Sequence, residues 1–347
     1  MGFNITSKIR CKPPWRILFF GTDEFSLGTL EALNENMRLK GDQSVVEYLH
    51  IVHPNIKKPT PITKYAAMWD LMGYEWPMNK FNKNLYDVAV LASFGHLIPS
   101  KILQAFPYGI LNVHPSLLPR WRGAAPLHHT ILNGDNKTGI SIMSLEPKKF
   151  DVGPLLMQRE FDVPSRCTTH RLRDLLAPIG GKMILETLSQ LPEYFNSRQP
   201  QAEANITYAH KVTLNMSFID WHNQSVDSID QQYRAIHDTT ELRTDWLGMT
   251  VRLIDMVSPY IQPAISLDAA SPPGLPVYDN TTNILWVKCK DAWVGFTHIV
   301  IKKKMTAKEF YNGYLSKSHF KGVIFTSKAN GLFDGSYIKW ITERRPS

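Results

Sequence analysis

Residues 16–34 read RILFFGTDEFSLGTLEALN, and this stretch decides the architecture. The apolar run Ile17-Leu18-Phe19-Phe20 stops at Gly21, and Phe25, Leu30 and Leu33 then recur at helical spacing. A short apolar run, a turn residue and a 3.6-residue period read as a strand feeding a helix. Working outward, residues 45–52, 87–94 and 110–114 are further apolar runs bounded by turn residues, with a helical stretch at 62–72 between the first two. Strands alternating with helices predict an α/β fold, a Rossmann-like, mostly parallel sheet covered on both faces, with ligands at the carboxyl ends of its strands. The Gly21-Thr22-Asp23 turn lacks the G-x-G-x-x-G pattern, so this layout does not imply a dinucleotide.

Further along, 124–132 reads as a helix closed by Gly134, 139–145 as a strand, and 168–188 as a long helix despite Pro178. Residues 192–209 are polar, with Pro192, Asn196, Ser197 and Pro200 among few large apolar side chains, which predicts a linker and a domain boundary. Beyond it, 225–236 is helical and 251–256, 284–290 and 293–301 alternate or cluster like strands, so a small β domain is expected.

The 347 residues, 43% of them apolar, suffice for about two domains. The formal charge of +8 favours an anionic partner without identifying it. Cys11, Cys167 and Cys289 are odd in number and scattered, which argues against a disulfide framework or a metal cluster and for a reducing compartment. With no apolar run near the roughly 20 residues needed to cross a bilayer, the protein is expected to be soluble. The N-terminal residues carry Lys8, Arg10, Lys12 and Arg16 with no acid before Asp23, the composition of a mitochondrial targeting segment or its remnant; a basic tail fits equally.

The chemistry concentrates in residues 109–126, GILNVHPSLLPRWRGAAP. A strand here delivers Asn112 and His114, two positions apart, onto one face at the sheet edge, and Pro115, Pro119 and Gly123 enforce an irregular loop carrying Arg120 and Arg122. A lone His114 would ordinarily be a satisfied strand-end histidine. The string as a whole, however, resembles the signature of the folate-dependent formyltransferase family. Phe150-Asp151-Val152-Gly153-Pro154, with Asp151 lying 37 residues after His114, resembles that family's loop bearing an aspartate, although an aspartate before Val-Gly is also a common turn residue. Phe19-Phe20-Gly21-Thr22-Asp23-Glu24-Phe25 is similar to the start of the family's methionyl-tRNA branch, with Asp23 where most relatives have proline. That turn and the wording of residues 148–154 look more like the mitochondrial than the bacterial members, and weaker resemblance runs through roughly residues 14–315.

The resemblance implies a formyltransferase domain at 15–191 after a tail at 1–14, a linker at 192–207, an OB-like β-barrel at 208–316 that binds tRNA, and a basic C-terminal extension at 317–347. It implies Asn112, His114 and Asp151 as catalytic residues, 10-formyltetrahydrofolate as formyl donor and initiator methionyl-tRNA as acceptor. Acyl transfer to an amine passes through an oxyanion, for which Asn112 and protonated His114 are donors, with Asp151 relaying protons. The folate is expected along Phe94, Gly95, His96, Leu97 and Ile98, along Ser116, Leu117, Leu118 and Pro119, and against Pro147 and Phe150. Ser116 lacks a nucleophile elbow and is not read as a nucleophile. His128 and His129 lack H-E-x-x-H spacing, and no metal is expected.

For tRNA, Lys57 and Lys58 follow the second strand, where relatives carry a longer loop. Arg120, Arg122 and Lys211 are further candidates for contact with tRNA. Residues 297–328 carry Lys302, Lys303, Lys304, Lys308, Lys317, Lys321 and Lys328 against one acid, Glu309; such a run is often just a solvated face. A monomer in the mitochondrial matrix is expected. The rivals are a glycinamide ribonucleotide transformylase, which usually needs only the first domain, a formyl hydrolase, and an inactive tRNA-binding homologue.

Overall fold

The computed structural model describes residues 10–39, 41–78, 81–147 and 149–327. The chain divides into two compact units, Met1–Val212 and Thr213–Ser347. In the first, the quoted stretch forms β1 (Trp15–Gly21) and α1 (Glu24–Met37), followed by β2 (Val46–Pro54), α2 (Pro61–Trp69), β3 (Gly73–Trp76), β4 (Val88–Ala92), α3 (Ser100–Leu103), β5 (Ile110–His114), α4 (Pro126–Leu132), β6 (Lys137–Ser144), β7 (Leu155–Asp162), α5 (Thr169–Ser189) and α6 (Leu191–Ser197). The sheet order is β3-β2-β1-β4-β5-β6-β7, parallel from β3 through β5 and antiparallel at β6 and β7. Ile17, Leu18, Phe19 and Phe20 are fully buried because helices cover both faces of the parallel part.

Two neighbours flank β1, and the chain winds away from it in opposite directions through β2 and β4. Connections therefore diverge above the carboxyl ends of β1 and β4 and leave a crevice there. Helices α1 and α5 cross at small residues: a Cβ added at Gly28 would lie 2.7 Å from the backbone of Ala177, and one at Gly181 would lie 2.6 Å from the Gly28 carbonyl oxygen. The strand β7, absent from the sequence reading, is a largely exposed edge strand whose Gln158, Arg159 and Glu160 hide the apolar signal.

The expected linker is corrected. Residues 191–197 are α6, with Leu191 fully buried. Gln199 and Leu155 exchange both backbone hydrogen bonds, and Thr207 and Ala209 pair with Pro119, Arg122 and Ala125. The segment is polar in its side chains yet fastened by its backbone, which composition cannot register, and the division falls after Val212.

The second unit contains α7 (Val226–Ile236), β8 (Leu242–Trp246), β9 (Met249–Met256), β10 (Pro276–Asp279), β11 (Ile284–Lys288), β12 (Trp293–Val300), β13 (Lys304–Thr306) and α8 (Ala307–Phe310). Its antiparallel sheet runs β10-β11-β12-β9-β8, with β13 on β12. Trp221, Trp246, Phe296, Phe310 and Phe325 are buried in it. Phe325 donates its N–H to Gly274, just before β10, while Thr326 exchanges both backbone hydrogen bonds with Asp245 of β8. The two sheet edges are thereby bridged in the manner of a small barrel. This corrects the expected extension over residues 317–327: Val323 and Phe325 are core residues of the unit, an assignment that the surrounding lysines mask in sequence. Lys148, Lys328 and residues 1–9 and 328–347 lie outside the described residues.

Candidate active site

A cavity of about 930 Å³ opens at the carboxyl ends of β1, β4 and β5, within the size range of small-molecule sites. Strand β5 carries Asn112 and His114 to its rim, both nearly buried, and Asp151 meets them from the loop between β6 and β7. The Asn112 side-chain amide donates to Asp151 Oδ1 at 3.1 Å, and His114 Nδ1 lies 3.6 Å from that same oxygen. The backbone N–H of Gly123 donates to Asp151 Oδ2 at 2.9 Å. Gly153, two residues after Asp151, has a steric reason: a Cβ there would sit 1.8 Å from the Ser144 carbonyl oxygen.

His114 Nε2 lies 2.9 Å from the carbonyl oxygen of Trp121. A carbonyl only accepts, so this nitrogen is the protonated one. Nδ1 faces Asp151 Oδ1 across 3.6 Å, beyond hydrogen-bond distance. Two non-glycine residues lining the cavity, Ser93 (φ 44°) and Asp151 (φ 52°), adopt left-handed backbone conformations, as does Trp121 (φ 61°) beside His114. Such conformations persist only where the surroundings hold them. Here the turn at Trp121 aims its carbonyl at His114, and its indole N–H is tied to Asp135 at 2.7 Å.

Of the expected folate residues, Phe94, Gly95, His96, Leu97, Ile98 and Phe150 line the cavity. Phe94 and Ile98 also belong to the apolar core with Leu18, Phe20 and Leu91, so packing and lining coincide there. Ser116, Leu117, Leu118, Pro119 and Pro147 do not line it. Ser116 is fully buried and donates its hydroxyl to the Arg120 carbonyl, and Leu118 is clasped by Ser141 and Gln158. Leu117 packs on Gly139, Pro119 accepts from Thr207, and Pro147 is exposed outside the cavity. These four consecutive residues shape the loop behind the site rather than its wall.

Sequence reasoning missed several residues. Asp23 and Ser93 line the cavity where β1 and β4 end. Burial pushes the Asp23 carboxyl above its ordinary value, against hydrogen bonds from the Ser26 N–H and the Ser93 side chain. Tyr208 and His210 stand at the cavity, at the start of the span expected to belong to the second domain. Gln201, hidden in the polar stretch expected to be a linker, donates to the carbonyls of Asp151 and Gly153.

The basic candidates separate sharply. Arg120 is paired bidentately with Asp135, at 2.9 and 2.6 Å, and Arg122 is buried against Gln201. Lys57 and Lys58 are exposed after β2, and Lys211 is exposed at the cavity. In the second unit Lys302 and Lys303 are exposed, and Lys304 lies 3.4 Å from Asp255.

The family model described as formyl transferase matches residues 78–188, and that described as formyl transferase, C-terminal domain, matches residues 211–315. The mitochondrial methionyl-tRNA formyltransferase of Mus musculus is 42% identical over 315 residues, covering 89% of this chain and 81% of the mouse protein. The human mitochondrial counterpart is also 42% identical, over 89% of this chain and 80% of its own length. The methionyl-tRNA formyltransferase of Ruegeria pomeroyi is 35% identical over 69% of this chain and 80% of its own. Among solved structures, an N-formyltransferase from Helicobacter canadensis in complex with folinic acid and dTDP-3-aminofucose superimposes with a TM-score of 0.58 at 14% identity, over 84% of this chain and 99% of that one. HypX from Aquifex aeolicus in complex with tetrahydrofolic acid gives 0.55 at 16% identity, over 91% of this chain and 51% of that one. At such low identity these two likenesses speak for the fold.

Proposed function

The chain belongs to the methionyl-tRNA formyltransferases, and from that premise we propose how its residues divide the work. The enzyme moves a formyl group from a folate donor to the amino group of methionyl-tRNA. The donor in our reading is 10-formyltetrahydrofolate, the acceptor is the initiator tRNA, and the compartment is the mitochondrial matrix. The mitochondrial forms from mouse and man, each 42% identical to this chain, support that compartment.

The observation that carries the assignment is the convergence of Asn112 and His114 on one buried carboxylate oxygen of Asp151 at the cavity rim. The acceptor enters as an ammonium, which loses one proton, by way of water, to Asp151. The neutral amine forms a bond to the formyl carbon, and the carbonyl electron pair moves onto oxygen. That oxyanion is met by an N–H of Asn112 and by Nδ1–H of the His114 imidazolium, each donor contributing roughly 2–4 kcal/mol. Nδ1 is free for this because 3.6 Å is too long for a hydrogen bond to Asp151. Collapse breaks the bond to the folate nitrogen, which takes up a second proton from the former ammonium. No covalent enzyme intermediate is required.

Phe94, Leu97, Ile98 and Phe150 give the flat pterin apolar walls, and the exposed lysines of the second unit capture the tRNA. Transfer of labelled formyl groups tests the reading, with methionyl-tRNA, glycinamide ribonucleotide and water as acceptors. Label on methionyl-tRNA is expected. Label on glycinamide ribonucleotide, or formate released at equal rate without an acceptor, would replace it, and folate or tRNA binding without transfer would mark an inactive homologue.

A further inference from the structure

We propose that Gln201 and Arg122 form a clamp that positions Asp151, an inference that rests on the reading of Asp151 as catalytic. Asp151 sits at φ 52°, a conformation an aspartate keeps only under constraint. The Gln201 side-chain amide donates to the Asp151 carbonyl and to the Gly153 carbonyl, each at 2.9 Å. Its oxygen accepts from Arg122 Nε at 3.0 Å and Nη2 at 2.7 Å. Two donors and two lone pairs are the whole capacity of an amide, and all are used. The orientation is unambiguous, because carbonyls only accept and a guanidinium only donates.

The contacts close into a ring. From Asp151 the path runs through Gln201 to Arg122, one residue onward to Gly123, and back through the Gly123 N–H to Asp151 Oδ2 at 2.9 Å. Backbone and carboxylate of one aspartate are thus gripped by one two-residue loop. Arg122 is 9% exposed, and among the described residues no carboxylate lies within ion-pair distance of it. A buried guanidinium without an acid is costly unless dipoles replace the water it lost. The Gln201 oxygen supplies that dipole. Arg122 therefore serves as the internal anchor of the clamp rather than as a contact for RNA phosphate.

The two halves of the amide can be removed separately. Gln201→Glu keeps an acceptor, now charged, for Arg122 but sets oxygens against the carbonyls of Asp151 and Gly153. Gln201→Met keeps the length and removes all four bonds. For the full chain, Gln201→Glu is expected to lose at least about tenfold in kcat while KM for both substrates stays within about threefold. Its unfolding temperature should stay within roughly 2 °C of the unaltered protein. Gln201→Met should lose turnover comparably and also unfold earlier, because Arg122 is left without an acceptor. Full turnover in Gln201→Glu would overturn the clamp, as would a loss that merely follows a falling unfolding temperature in both variants. Asp151→Asn, measured alongside, separates the two ideas: its retention of turnover would bring down the catalytic reading itself, whereas an inactive Asp151→Asn beside a fully active Gln201→Glu would bring down the clamp alone.

Discussion

The arginines of the loop after β5 and the lysines at the end of β12 look alike in sequence, as basic residues beside a turn. They differ in what they are free to do. Arg120 is held by Asp135 and Arg122 by Gln201, each through its Nε and Nη2 donors, inside the first unit. Lys302 and Lys303 are exposed, and Lys304 lies 3.4 Å from Asp255. The lesson concerns availability: a guanidinium already hydrogen-bonded to a nearer partner must give up those bonds to meet a phosphate, an exposed ammonium need not, and a count of basic residues cannot tell the two cases apart.

The largest effect should come from the centre that the arginine loop encloses. His114→Ala or Asn112→Ala should lower kcat at least about a hundredfold, the usual loss for an oxyanion donor, with the far-ultraviolet dichroism unchanged. Near-normal turnover in both would mean that the first unit keeps these groups for structure alone, and the contrast with the second unit would dissolve.

A smaller and more selective effect is expected in the second unit. Replacing Lys302 and Lys303 by glutamine should weaken methionyl-tRNA binding and flatten its salt dependence by about 0.9 log-log units per lost phosphate contact. Adding Lys304→Gln should change the slope less, since Asp255 already faces that ammonium. Folate affinity, measured by titration, should not move. An unchanged slope in the triple variant would shift the tRNA surface to Lys57 and Lys58.

The smallest effect sharpens the comparison from the other side. Burial alone would raise the Asp135 carboxyl, but hydrogen bonds from Arg120, Asn133 and Trp121 outweigh it and hold the group below its ordinary value of 3.8. A folded-state value below the unfolded one stabilises at pH above the unfolded value, and this contribution disappears as pH falls through the folded value. Asp135→Asn should therefore cost about 1 kcal/mol near neutrality, and the difference from the unaltered protein should close below about pH 4 in urea melts. If the gap persisted in acid, the Arg120 pair would not be the source of the loss.

Periodicity and punctuation were the legible part of this molecule. The apolar run before Gly21, the helical spacing of Phe25, Leu30 and Leu33, and the two-residue step from Asn112 to His114 are local patterns, and each survives in the fold. They fix which side chains share a face, because backbone geometry repeats over a few residues whatever the rest of the chain does. Edge strand β7 and the fastened segment after α6 were illegible, since their stability lies in backbone hydrogen bonds that polar side chains conceal.

The sequence by itself therefore determined the doubly covered sheet, the crevice above its strand ends and the residue types gathered there. Tertiary structure alone decided which of those groups are occupied. Asp151 meets Asn112 across 39 residues, Arg122 meets Gln201 across 79, and Phe325 returns to Gly274 to join the edges of the second sheet. Such partners are chosen by the closure of distant segments in three dimensions, where a buried donor or charge must find an acceptor or forfeit the hydration it has lost.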